Sequence, residues 1–241
     1  LQLRAPRLHG ILYGIDTEIW NPDTDHYIPA RYDVENLRGK RLCKEDLQDE
    51  LDLEVNPDTP VIGTITRLTE QKGIDELFGV NYGVAQRLLE ELPVQWIVLG
   101  TGQRWCEDQI RELNRKYRNF VGLTMYSDTL AHRIEAGSDF FLMPSRYEPC
   151  GLNQMYSMRY GTIPIVTRTG GLVDTVDSTT GIHIEAHTPH AIYDAVRHAV
   201  NLFQKDRSAI TAMQHAGMSN DFSVAQAVAQ YEALYRDVQA L

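Results

Sequence analysis

Cysteine is scarce in this 241-residue chain: Cys43, Cys106 and Cys150 stand far apart and are odd in number. Neither a disulfide framework nor the paired spacing of a thiolate zinc site can be drawn from them, so no metal is expected and a reducing, cytoplasmic setting is. Long apolar runs are missing too. None approaches the roughly 20 residues of a membrane-spanning helix, and the N-terminus lacks a secretory pattern, so no membrane partner is expected. Positive charge is in deficit, with 23 Lys plus Arg against 33 Asp plus Glu and a formal net charge of -10. That balance disfavours non-specific binding to nucleic acid or an anionic membrane, and any anionic ligand has to be held by a local basic cluster. No internal repeat, low-complexity tract, G-x-S-x-G elbow or kinase signature is present.

What the chain does have is apolar content for a packed core, 43% of its residues, arranged in a regular alternation. Short apolar runs at 61–66, 95–99, 119–125, 139–143, 162–167 and 181–185 predict strands. Amphipathic stretches between them predict helices at 40–51, 75–92 (interrupted by Gly79 and Gly83), 104–117, 128–136, from near Gly151, 190–203 and 223–239. Strands separated by helices of this length predict an α/β fold, a Rossmann-like doubly wound parallel sheet of about six strands. Residues 1–39 carry six breakers from Pro6 to Gly39 and read as a linker or docking segment. The last helix places Val224, Val228, Tyr231, Leu234, Tyr235 and Val238 on one face that needs a cover. The chain begins at Leu1 and enters a loop-like GILYGID stretch almost at once, which leads us to expect a piece of a longer protein.

In open α/β sheets ligands bind beyond the carboxyl ends of the strands, and the candidate residues fall there. Arg67 and Lys72, five apart after the first strand, suit a diphosphate clamp, one planar fork and one point charge; two solvated surface cations are the plain alternative. Glu148, in the loop before a helix, is a site carboxylate or a helix cap. Cys150 has no histidine near it in sequence to act as a base and reads as inert, whereas Gly151, Leu152 and Asn153 can present donors to a phosphate. Gly170 and Gly171 allow a ligand close to the backbone, or form a tight turn. Tyr126 follows a strand and can stack on a base or pack. Gly100 and Gly102 make only part of a G-x-G-x-x-G loop, since position 105 is Trp105.

Five blocks in order, GILYGIDTEIWNPDTD (10–25), TRLTEQKGID (66–75), YSDTLAHRIEAGSDFFLMPSRYEPCGLNQMYSMRYG (126–161), IPIVTRTGGLVDTV (163–176) and MSNDFS (218–223), resemble the ADP-glucose-dependent bacterial glycogen synthases and plant starch synthases, glycosyltransferase family 5. The resemblance implies the C-terminal half of a two-domain GT-B glycosyltransferase. Residues 1–39 would be hinge and docking segment, 40–222 the nucleotide-sugar-binding Rossmann-like domain, and 223–241 a helix packing on the absent N-terminal domain. It implies transfer of glucose from ADP-glucose to an α-1,4-glucan with retention and without a metal or other cofactor, in the cytoplasm, or the plastid of a plant. ADP-glucose or ADP would be the small-molecule partner, the glucan being met mainly by the absent half.

Carried over by position, Arg67 and Lys72 match the diphosphate pair, Glu148 the acidic residue at the donor glucose, and Tyr126 the aromatic beside the adenine. Cys150, Gly151, Leu152 and Asn153, with Gly170 and Gly171, match the backbone around phosphates and sugar. The sequence departs from the family at Tyr13, where Asn is usual, and in a shorter stretch between Val176 and Gly181. Two rival readings are another retaining GT-B transferase with a different donor, and a nucleotide- or glucan-binding protein without turnover.

Overall fold

A computed structural model of the chain describes residues 8–239, so the first seven residues of the expected linker and the last two of the 223–241 segment expected from the resemblance lie outside it. Six strands, β1 (Val61–Ile65), β2 (Gln95–Leu99), β3 (Phe120–Leu123), β4 (Phe140–Met143), β5 (Ile163–Thr167) and β6 (Ile182–Ile184), form one parallel sheet in the order β3-β2-β1-β4-β5-β6. Parallel strands covered on both faces read as unbroken apolar runs, which is why VIGTI, QWIVL and FFLM were visible as strands. Successive residues of β1 point opposite ways. Ile62 joins the core under α2 (Ile74–Phe78), α3 (Ala85–Glu91), α4 (Arg104–Lys116) and α8 (Pro189–Lys205), while Val61 joins α1 (Arg38–Glu50) and α5 (Asp128–Gly137) on the far face. Trp96 of β2 is fully buried between Phe78 and Phe120, and its indole N–H donates to Thr64 Oγ1 at 3.0 Å.

The doubly wound parallel fold is as the sequence predicts, with three local differences. The expected helix over 75–92 is two, α2 and α3, because Gly83 closes on Gly79 (N–H to carbonyl, 2.7 Å) in a turn where a Cβ on Gly83 would lie 2.5 Å from the Gly79 nitrogen. The Gly170-Gly171 turn opens a short helix, α7 (Gly171–Thr175), after α6 (Asn153–Arg159) and β5. A helix unmarked by periodicity, α9 (Arg207–Met218), follows α8. It buries only Ile210, Gly217 and Met218, too few to make a stripe, and its visible signal is the Asp206 cap that accepts the Ala209 N–H at 2.9 Å.

The breaker-rich segment is packed against the domain. Trp20 is stacked between His132 of α5 and Tyr156 of α6, 3.9 Å from each ring centre. Asp25 is buried and accepts from His132 Nδ1 at 2.7 Å and the Tyr160 hydroxyl at 2.6 Å. The Ile15 N–H donates to Phe222 at 2.8 Å, tying the segment to the entry of α10 (Val224–Gln239). Breakers mark irregular backbone, and irregular backbone still packs when it carries Trp, Tyr and Ile. On α10 the aromatic face holding Tyr231 and Tyr235 is exposed, and Ala227 is its buried residue.

On the far face α5 buries Glu135, whose carboxyl group shares a hydrogen bond with Ser157 Oγ of α6 at 2.8 Å. Burial pushes its carboxyl from 4.5 up to about 8, against the opposing pull of that hydrogen bond and of Lys40. Between those values the folded state holds a proton that the unfolded chain releases, so stability present below pH 4.5 is lost as pH rises through 8. Lys40, pushed by burial from 10.5 down to about 8, acts in the separate window above that, where stability is regained as pH rises. Urea unfolding between pH 5 and 8 is therefore expected to show stability falling by up to about 1.4 kcal/mol per pH unit, and Glu135→Gln is expected to flatten the slope. An unchanged slope in the variant would assign the dependence elsewhere.

Candidate functional site

Chain growth reverses between β1 and β4: β2 and β3 extend the sheet to one side, β5 and β6 to the other. The connections leaving the carboxyl ends of β1 and β4 therefore part, and a cavity of about 640 Å³ opens between them. Arg67 and Lys72 reach it from the loop after β1, Gly100 from the loop after β2, Tyr126 from that after β3, and Glu148 from that after β4.

The loop after β1 makes a single 3-10 turn, Glu70–Lys72, that stops at Gly73 with φ 75. Only glycine suits this position twice over, since a Cβ there would also sit 2.1 Å from the Pro144 carbonyl oxygen. The two loops are thereby pressed together, and the Lys72 ammonium donates to Glu148 Oε2, with side chains 17% and 8% exposed. Ser145, buried, adds its hydroxyl to the same oxygen at 3.3 Å. Arg67 is exposed, its guanidinium 3.4 Å from Gln71 Oε1, and Gln71 in turn donates to the Tyr147 carbonyl at 3.2 Å. Arg146 pins the frame from behind, reaching Glu70 at 2.5 Å, Glu76 at 2.9 Å and Asp75 at 3.2 Å. The outcome is a compact cation set against a carboxylate, with a second, freer cation five residues away. Such a set can hold a diphosphate beside a sugar.

Of the residues singled out from sequence, Arg67, Lys72, Tyr126, Glu148, Cys150, Gly151, Leu152 and Asn153 all line this one cavity. Tyr126 is 81% exposed at the rim, its hydroxyl donating to Asp128 at 2.5 Å. Gly151 has φ 74, and a Cβ there would meet Gln154 Oε1 at 2.5 Å. The Asn153 side-chain amide donates one of its two hydrogens to the Ile65 carbonyl at 2.7 Å and so also fastens α6 to the end of β1. One expectation needs correction. Gly170 and Gly171 are absent from the cavity wall. They lie behind the Glu148–Cys150 loop, where a Cβ on Gly170 would be 2.1 Å from the Glu148 oxygen and one on Gly171 would be 2.5 Å from that of Cys150. Gly100 is likewise small for the sake of the backbone: its Cβ would fall 1.8 Å from the Thr66 oxygen.

Sequence reasoning passed over Ser145, Gln71 and Arg146; the available signal was their adjacency to Glu148 and Lys72. Tyr13, noted only as a departure, stands on the cavity wall and is 66% exposed. His183 and His187 are four apart, but lie on β6 and in the loop after it, and no group of three or more His, Cys, Asp or Glu among the described residues is placed to hold a metal. Among the same residues no helix is long and apolar enough to cross a membrane.

Residues 48–215 match the family described as Glycosyl transferases group 1. The chain is 46% identical over 244 residues to a glycogen synthase of Treponema denticola, an alignment covering 98% of this chain and 50% of that protein. It is 45% identical over 251 residues to a glycogen synthase of Dechloromonas aromatica, covering 100% and 50%. Among solved structures, the catalytic domain of starch synthase IV from Arabidopsis thaliana, bound to ADP and acarbose, superposes with a TM-score of 0.87 at 33% identity, over 98% of this chain and 50% of that one. A sucrose-phosphate synthase from Thermosynechococcus elongatus, at 18% identity, TM-score 0.66 and coverage of 99% and 56%, shares the fold. The chain spans about half the length of the curated relatives it matches.

Proposed function

The chain belongs to the glycosyl transferases group 1 family, and from that premise we propose that it is the donor-binding half of a glucan-elongating transferase of the glycogen and starch synthase kind. The donor is ADP-glucose and the acceptor an α-1,4-glucan. Arg67 and Lys72 take the diphosphate oxygens, Glu148 stands at the glucose, Tyr126 lies along the adenine, and the Cys150–Asn153 loop closes round the sugar with Gly170 and Gly171 supporting it from outside. The observation that carries this reading is the Lys72–Glu148 pair in the wall of a cavity at the sheet's switch point. The similarity to glycogen synthases and to a starch synthase solved with ADP supports it.

The chemistry follows from the charges. As the bond from the anomeric carbon to phosphate oxygen breaks, its electron pair leaves with ADP and the sugar becomes oxocarbenium-like. Lys72, held against Glu148, and the freer Arg67 stabilise the growing negative charge on the diphosphate, so their effect is larger in the transition state than in the ground state. Glu148, held by Lys72 and Ser145, sets a negative group near the growing positive charge. The acceptor groove belongs to the other half of such an enzyme, so the 241-residue chain alone is expected to bind the nucleotide and to turn over little.

Calorimetric titration of the chain with ADP tests the binding claim: saturable heat with Kd of about 1 mM or tighter is expected. No binding at millimolar ADP would sink it, and a donor panel in which UDP-glucose outperforms ADP-glucose in the full-length enzyme would move the chain to another retaining GT-B transferase. Tyr13 on the cavity wall favours a second reading, a nucleotide-binding relative without turnover. A chain that binds ADP while its full-length parent transfers no glucose would establish that one.

A further inference from the structure

His187 lies in the loop between β6 and α8, is absent from the cavity wall, and yet joins the frames of both site loops. Its Nε2 is 2.9 Å from the Pro144 carbonyl oxygen, and its Nδ1 is 3.3 Å from Glu76 Oε1. A carbonyl only accepts, so Nε2 carries the proton and donates. That carbonyl is the one against which Gly73 is pressed, at the point where a Cβ would be 2.1 Å away. Gly73 directly follows Lys72, and Pro144 precedes Glu148 by four residues. The second contact works on the same frame, because Glu76 Oε1 also accepts from Arg146 at 2.9 Å and Arg146 lies two residues before Glu148. Glu76 is itself buried, and its other oxygen has no partner among the described residues, so the carboxylate is held by Arg146 while the His187 ring packs beside it.

We infer that His187 is a positioning residue: by donating to the Pro144 carbonyl and bearing on Glu76, it sets the spacing of the Lys72 and Glu148 loops and hence the grip on the outer phosphate of the nucleotide. The inference rests on the donor-site reading above. His187 touches neither cavity nor ligand, and its effect reaches the site through two backbone segments held at van der Waals limits, where a shift of tenths of an ångström is passed on rather than absorbed.

The test compares ADP with AMP, which lacks the outer phosphate, by calorimetry on the 241-residue chain. Three variants are used: His187→Phe keeps the ring volume without a donor, His187→Leu does so with a different shape, and His187→Gln retains an amide that can donate to Pro144. The wild-type chain is expected to prefer ADP. Phe and Leu variants are expected to lose about tenfold in ADP affinity while AMP affinity stays within about twofold, and the Gln variant to recover most of the loss. Global loosening would weaken both nucleotides alike, so an unchanged ADP-to-AMP ratio in a folded Phe or Leu variant, whatever its thermal midpoint, overturns the inference; if neither folds, a Gln variant that folds but has lost the ADP preference does so. A wild-type chain that binds neither nucleotide overturns the donor-site reading itself, and the inference with it.

Discussion

Lys72→Ala is expected to lower the turnover of the full-length enzyme by about 10²–10³-fold, the effect of deleting one charge-stabilising donor from a preorganised site. The loss has two sources in the structure. The ammonium is the compact cation of the cavity, and on the proposed donor-site reading its loss would leave the developing charge on the diphosphate to Arg67. The same ammonium is also the partner of Glu148, which is 7% exposed and would keep, among the described residues, only the Ser145 hydroxyl at 3.3 Å. A buried carboxylate stripped of its cation destabilises its surroundings, so the Lys72→Ala protein is also expected to melt earlier than wild type. Arg67→Ala separates the two effects. Arg67 is exposed and its side chain makes one long contact among the described residues, to Gln71 at 3.4 Å, so turnover is expected to fall strongly with little change in thermal midpoint. Steady-state rates with donor and glucan, read beside melting curves, decide the matter: near wild-type turnover in both variants would remove the clamp from the mechanism.

Gly170→Ala is the second large effect, and it discriminates between two roles for the glycine pair. Gly170 has φ 47 and ψ -136, a conformation close to glycine-only territory, and its added Cβ would lie 2.1 Å from the Glu148 carbonyl oxygen. Backbone strain of this kind costs about 2–3 kcal/mol, which for a chain of this size is roughly 4–12 °C in thermal midpoint. Relief would come through the Glu148–Cys150 loop, whose Glu148 carbonyl accepts the Gly171 N–H at 2.9 Å. Displacing that loop by about 1 Å is expected to lower turnover by about 10²-fold. If the pair merely made room for a ligand, alanine would weaken donor binding and leave the melting temperature where it was.

The periodic apolar runs of β1 to β6 were enough to find the sheet, because a parallel strand buried on both faces writes its burial into consecutive residues. The charged pair after β1 and the carboxylate after β4 were legible for a related reason: loops at strand ends are where an α/β sheet exposes functional groups. Short-range pattern also explains which contacts it left unseen. Asn153 is ordinary at the start of a helix, and only the approach of α6 to β1 supplies the Ile65 carbonyl that takes its amide. The breaker-rich segment looked loose because its packing partners, His132, Tyr156 and Tyr160, are more than a hundred residues away in the chain.

Sequence by itself determined the layered α/β architecture, the acidic surface that restricts anion binding to a local cluster, and the identity of Arg67, Lys72 and Glu148 as residues at strand ends. Tertiary structure alone decided which of these groups touch, that Gly170 and Gly171 face backbone and not cavity, and that His187 bears on Pro144. The division has one cause. Local pattern records whether a residue is buried and in which direction it points, whereas a contact depends on how distant segments are pressed together, and at this site they meet at distances that a single Cβ would violate.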